Sequence, residues 1–124
     1  MFQILIAEDD KNTRKLMEAV LKSNGFNPIP ASSGEEALKL LDRHHIDLAV
    51  LDIMMPGMDG YELTRHLRSM DYNLPILMVT AKVLPEDKRK GFMAGTDDYM
   101  TKPVDEEEMV LRIRALLRLS LIHI

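Results

Sequence analysis

At 124 residues and a net charge of −4, the chain suits one domain that buries a core without metal or disulfide staples. Its acidic balance argues against a basic nucleic-acid footprint. The sequence has no cysteine, which excludes a disulfide framework, a zinc thiolate site and a thiol nucleophile. No apolar run approaches the roughly 18 residues of a membrane span, and Met1-Phe2-Gln3-Ile4 enters strand-like sequence without a basic leader, so we expect a cytoplasmic protein with no membrane partner.

Gln3 to Ala7 is a short apolar run that ends in Glu8-Asp9-Asp10. Leu16, Met17, Val20 and Leu21 then recur at helical spacing up to the helix stop Asn24-Gly25, where glycine accepts a left-handed conformation at no steric cost. Asn27 to Ala31 holds Pro28 and Pro30, which cannot donate to a ladder and so predict an edge strand. Ser32-Ser33-Gly34-Glu35-Glu36 offers two overlapping capping boxes for a helix whose apolar face is Ala37, Leu38, Leu40 and Leu41.

Leu48 to Leu51 is a continuous apolar run that meets Asp52 and then a loop with Pro56, Gly57 and Gly60. Such a run suits a strand buried on both faces of a parallel sheet. This segment alone leaves two readings of Asp52: a ligand group at the carboxyl end of a strand, or a cap of the following turn. Asp59-Gly60-Tyr61-Glu62 opens a third helix carrying Leu63 and Leu67. Ile76 to Thr80 is a fourth strand that finishes on a hydroxyl. Pro85-Glu86-Asp87 starts a short fourth helix with Phe92 and Met93 inside. Tyr99 to Thr101 is a fifth strand closed by Lys102-Pro103, and Asp105 to Leu117 is the last helix, with Met109, Ile113, Leu116 and Leu117 inward. Alternating strands and helices imply an α/β doubly wound parallel sheet of five strands, covered on both faces. The apolar tail Leu119-Ser120-Leu121-Ile122-His123-Ile124 reads as a final helical turn, a truncation point or an expression scar.

Parallel strands bring their carboxyl ends to one side, so Glu8, Asp9, Asp10, Asp52, Thr80 and Lys102 can converge. Carboxylates held close repel one another unless a cation sits between them. A hard divalent ion with oxygen ligands is the natural occupant, and Mg²⁺ prefers few protein carboxylates together with water and phosphate oxygens. An ammonium and a hydroxyl, Lys102 and Thr80, are groups one would aim at the remaining oxygens of a phosphoryl group on Asp52.

With these residues in order, the chain resembles the receiver domains of two-component response regulators over nearly its whole length. The matching motifs are Glu8-Asp9, Leu51-Asp52-Ile53-Met54-Met55-Pro56-Gly57-Met58-Asp59-Gly60, Thr80-Ala81, and Tyr99 through Lys102-Pro103. The resemblance implies a receiver over residues 1–118 followed by the tail 119–124, and a flavodoxin-like (β/α)5 sheet of strand order 2-1-3-4-5. It implies that Asp52 accepts a phosphoryl group from a sensor histidine kinase or a phosphotransfer protein. Glu8, Asp9, Asp52 and the backbone carbonyl of Met54 would bind Mg²⁺, with Glu8 acting through water. Thr80 and Lys102 would contact the phosphate, and Lys102-Pro103 would be a cis peptide bond. Asp10, just past the acid pair, is read as a helix N-cap.

By the same resemblance, Thr80 moves toward the phosphate and Tyr99 turns inward, which biases the face built from the fourth helix, fifth strand and fifth helix. Lys88, Asp97, Asp98, Glu108, Arg112 and Arg118 lie where receivers of winged-helix transcription factors pair as dimers. DNA would be reached only through an effector domain, and the ending Arg112 to Arg118 resembles receivers that continue into one. A stand-alone receiver in a phosphorelay is the alternative. Met54 and Lys82, two residues after Asp52 and Thr80, flank the path of attacking water and should tune the phosphate's lifetime.

Other chemistry fits less well. A phosphatase of the haloacid dehalogenase type would need an acid two residues after the nucleophile, where Met54 stands. A dinucleotide-binding domain would need glycines after the first strand, where Glu8-Asp9-Asp10-Lys11 stands. His44, His45, His66 and His123 lack metal-ligand spacing. The ten methionines read mainly as core fillers, and Lys88-Arg89-Lys90 is too short for a nucleic-acid patch. The reading is a signalling switch rather than a metabolic enzyme or an ATP-dependent kinase.

Overall fold

The computed structural model describes residues 1–81, 89–90 and 94–122. Five parallel strands form one sheet: β1 (Gln3–Ala7), β2 (Asn27–Ala31), β3 (Leu48–Leu51), β4 (Ile76–Thr80) and β5 (Asp98–Thr101), in the order β2-β1-β3-β4-β5. The connecting helices are α1 (Lys11–Ser23), α2 (Gly34–Arg43) and α3 (Gly60–Ser69), and the C-terminal helix spans Glu106–Ile122. Of the helix expected from Pro85, only Arg89, Lys90 and Ala94 are described, and all three are helical. Phe92, Met93, Lys82 and Lys88 lie outside the described residues.

The sheet is covered on both faces, which is why its central strands read as unbroken apolar runs. Successive side chains of a strand point to opposite faces. Leu5, Ala7, Ala49, Leu51, Ile76 and Met78 therefore pack beneath α2 and α3 with Ala37, Leu41, Leu63 and Leu67. Ile4, Ile6, Leu48, Val50, Leu77 and Val79 pack beneath α1 and the C-terminal helix with Met17, Val20, Leu21, Met109, Ile113 and Leu117. Leu16, expected inward, is 40% exposed; it sits one position outside the stripe Met17, Val20 and Leu21 that faces the sheet. Methionines 17, 55, 78, 100 and 109 are buried, whereas Met1, Met54 and Met70 are exposed, so the filler reading covers about half of them.

Caps fix the helix starts. Asp10 accepts from Thr13 N and Oγ1, Asp59 from Glu62 N, and Asp105 from Glu108 N. Of the two possible capping boxes at α2, Ser33 caps Glu36 N while Glu36 reaches back to Ser32 N. The last helix begins one residue later and runs five residues further than the spacing predicted. Pro28 and Pro30 sit in β2 at the edge of the sheet, opposite Ile4 and Ile6. Asn27 N donates to Phe2 O at 2.9 Å, so amides of that parity point to β1 and the prolines' missing amides fall on the outer side.

Opposite the strands' carboxyl ends, Arg68 ties the base together. Its guanidinium donates to Gly95 O, Tyr72 O, Leu74 O and the Asp97 carboxylate, all at 2.7–3.1 Å. Gly95, at φ +112°, leaves room for it, since a Cβ there would lie 2.8 Å from Arg68 Cγ. Arg68→Ala should lower stability by about 2–3 kcal/mol because three carbonyls lose a charged donor. Arg68→Lys should recover only part of this, for lack of the planar fork. Urea unfolding midpoints of the three proteins measure both effects.

Candidate functional site

The carboxyl ends of β1, β3, β4 and β5 bring Glu8, Asp9, Asp52, Thr80 and Lys102 to one edge. Glu8 follows β1 and is fully buried, and its N–H donates to Ala31 O at 3.1 Å. Asp9 is exposed beside it, while Asp52, directly after β3, is 4% exposed and its N–H donates to Ala7 O at 2.9 Å. The backbone hydrogen bonds of the sheet thus continue one residue beyond β1 and β3 and set where these carboxylates stand. Ligand oxygens of Glu8, Asp9 and Asp52 all lie within 4.8 Å of one another.

Lys102 reaches this cluster from the turn after β5. Its Nζ lies 2.6 Å from Glu8 Oε1 and 3.2 Å from Asp52 Oδ2. Its N–H donates to Thr80 O at 2.8 Å, and the Lys102–Pro103 peptide bond is cis. The Glu8 contact is a close ion pair rather than an aligned hydrogen bond, so this buried oxygen still has acceptor capacity. Burial pushes the Glu8 carboxyl up to about 7; the Lys102 bond works against this and the Asp52 charge adds to it. Burial pulls the Lys102 ammonium down, but the bond to Glu8 and the charge of Asp52 leave it above its ordinary value. The donor set, three carboxylates with one oxygen lacking an aligned hydrogen bond, fits a hard divalent cation with oxygen ligands.

The loop after Asp52 folds back over it. Met55 N and Gly60 N both donate to Ile53 O, at 3.1 and 3.0 Å, and Met54 N lies 3.4 Å from Asp52 Oδ1. A Cβ on Gly60 would collide with Asp52 O and come within 2.9 Å of Ile53 Cα. The first residue of α3 therefore has to be glycine for Asp52 to keep its place. The sequence placed Gly60 in the loop and at the start of the third helix; the close approach it permits is visible only in three dimensions. Met54 is 58% exposed beside Asp52.

Thr80 is fully buried at the end of β4, paired in register with Thr101. Tyr99 is inward and 7% exposed, with its hydroxyl 3.3 Å from that of Tyr61. Lys90 lies over the Tyr61 ring at 4.8 Å. Asp10 stands at the same edge, but its carboxylate is held by Thr13, which keeps its pKa below the ordinary value. Among the charges expected on a dimer face, Arg112 binds Asp98 through both carboxylate oxygens at 3.0 Å and Glu108 at 3.0 and 3.2 Å. Asp97 turns instead to Arg68 and Ile76 N. Arg118 is exposed near the chain's end. His45 pairs with Asp47 at 2.8 Å, far from the acid cluster in the fold, since Asp47 precedes β3 and binds Gln3 N.

A family model described as the response regulator receiver domain matches residues 4–114. The heme response regulator HssR of Staphylococcus aureus is 43% identical over 118 residues, which cover 95% of this chain and 52% of the relative. The chain thus spans about half the length of the curated relatives it matches. Among solved structures, the receiver domain of Francisella response regulator 1452 is similar with a TM-score of 0.92, 33% identity and coverage of 97% of this chain and 99% of that one. Chemotaxis protein CheY4 of Vibrio cholerae is similar with a TM-score of 0.90, 28% identity and coverage of 94% and 98%.

Because the Glu8 pKa is raised in the folded protein, protonation of this group favours folding. Its contribution is full below the unfolded value near 4.5 and is lost as pH rises through about 7. The metal-free protein should therefore lose up to about 3 kcal/mol across this window. Glu8→Gln should flatten that stretch of the profile, as read by urea unfolding at half-unit pH steps.

Proposed function

This chain belongs to the response regulator receiver family, and from that membership we propose that Asp52 is its phosphoacceptor, charged by a sensor histidine kinase or a phosphotransfer protein. The observation that carries this reading is the meeting of three carboxylates within 4.8 Å with the Lys102 ammonium alongside. Asp52 Oδ attacks the phosphorus of a phosphohistidine; the P–N bond breaks, a P–O bond forms, and the imidazole leaves. Asp9, Asp52 and the Met54 carbonyl would hold Mg²⁺, with Glu8 acting through water, and the ion would supply neutralisation of charge on the phosphoryl oxygens. Lys102 exchanges its carboxylate contacts for a phosphoryl oxygen, and the Thr80 hydroxyl contacts another.

Thr80 and Tyr99 then bias the face formed around β5 and the C-terminal helix, and that face governs an output, which in our reading is transcription. Self-association belongs to the same proposal: Arg112, now bound to Asp98 and Glu108 of its own chain, would exchange partners with a second copy. The activity is that of a switch, with transfer from a donor and slow hydrolysis as its only chemistry.

Intact-mass spectrometry after incubation with acetyl phosphate tests the acceptor. A phosphoryl adduct should form on the parent with Mg²⁺, fail without it, and be absent from Asp52→Asn; an adduct that survives Asp52→Asn would defeat the assignment. Exposed, apolar Met54 should shield the phosphoryl group from water. Met54→Asn should then lose phosphate several-fold faster, on the order of one well-placed hydrogen bond to the attacking water, as followed by the decay of the adduct.

A further inference from the structure

Within that reading of the site, one cation stands where electrostatics alone would not put it. Arg14, in the first turns of α1, donates from Nη1 to Glu8 O at 2.7 Å and reaches Asp9 O at 3.4 Å. It touches the backbone of the acid pair rather than the carboxylates. A positive charge fixed next to a cation site repels the cation, so its charge works against Mg²⁺ and its bonds must supply the advantage. Those bonds hold a turn already tied elsewhere. Asp10 N donates to Glu8 Oε2 at 3.2 Å, the Asp10 carboxylate caps Thr13, and Arg14 N donates to Asp10 O at 2.9 Å. The last sheet hydrogen bond at this end of β1 is made by Glu8 N, and to the Glu8 and Asp9 carbonyls that follow it Arg14 brings a charged donor from the helix.

We propose that Arg14 is a positioning residue for the acid pair: its guanidinium holds the turn between β1 and α1 so that Glu8 and Asp9 face Asp52, and it thereby raises the site's affinity for a divalent cation. The inference rests on the site reading above, but it assigns Arg14 a role that opposes the sign of its charge. That opposition makes the test decisive.

Mg²⁺ is titrated by calorimetry into the parent, Arg14→Met and Arg14→Lys. If Arg14 were only a surface cation, Arg14→Met would bind Mg²⁺ more tightly and Arg14→Lys would match the parent. The proposal expects the reverse: Arg14→Met weakens binding about tenfold, the lower end of the range for a hydrogen bond from a charged group, and Arg14→Lys recovers part of the loss through its shorter-reaching ammonium. Amide exchange of the metal-free proteins gives a second readout. The Asp10 N–H should exchange faster in Arg14→Met, while core amides of β3 keep their protection. Tighter or unchanged Mg²⁺ binding by Arg14→Met, or unaltered exchange at Asp10, overturns the inference alone. A parent that binds no Mg²⁺ overturns the site reading, and the inference falls with it.

Discussion

A single ammonium between two buried carboxylates, Lys102 with Glu8 and Asp52, is the contact around which this edge of the molecule is organised. Two carboxylates withdrawn from water repel each other and lose solvation, and one ammonium offsets only part of that cost. The raised Glu8 pKa expresses the remainder. Residual negative charge of this kind calls for a further cation, so the arrangement that taxes folding also supplies the capacity to bind one. The three groups arrive from β1, β3 and the turn after β5, and the sheet's hydrogen bonds to Glu8, Asp52 and Lys102 keep the carboxylates from moving apart.

The same edge shows how a parallel sheet turns a linear pattern into a site. Each strand ends where its apolar run meets a polar residue, and parallel pairing lines up these ends whatever their separation in the chain. That is why the parallel sheet, the acid cluster and Lys102 were legible beforehand, each resting on an apolar run, its end and a motif, while the strand order came from the family resemblance. What was not legible depends on groups without a pattern in sequence. Gly60 looked like an ordinary turn glycine, yet it lies against the Asp52 carbonyl. Arg14 and Arg68 were single cations on helices, yet they serve backbone carbonyls. Carbonyl directions follow from chain path, and no residue type announces them. Leu16 erred for a smaller reason, since helical spacing tolerates a one-position shift of the buried stripe. The charged residues near β5 were read only as a dimer face, and the bonds of Arg112 to Asp98 and Glu108 within its own chain carry no signal in the sequence.

β5 links the two ends of this organisation. At its start, Asp97 binds Arg68 and Ile76 N, which joins the strand to α3 and β4. At its end stand Lys102 and the cis bond to Pro103. Tyr99, between them, has its ring in the core beside α3 and its hydroxyl against Tyr61. The strand that carries the ammonium is thus packed and bonded along its short length, which confines Lys102 Nζ to the neighbourhood of the two carboxylates.

The two prolines of β2 have a consequence for how the molecule meets other chains. A strand added to that side of the sheet would need donors from residues 28 and 30, and neither has an amide hydrogen. The outer rim there presents carbonyls without matching N–H groups, so an incoming peptide could form only half a ladder. Strand addition, a common way for proteins to capture peptides and a common start of aggregation, is closed on this side. Recognition at this end of the molecule is therefore left to side chains on helices and loops, whose identity can vary without disturbing the sheet beneath.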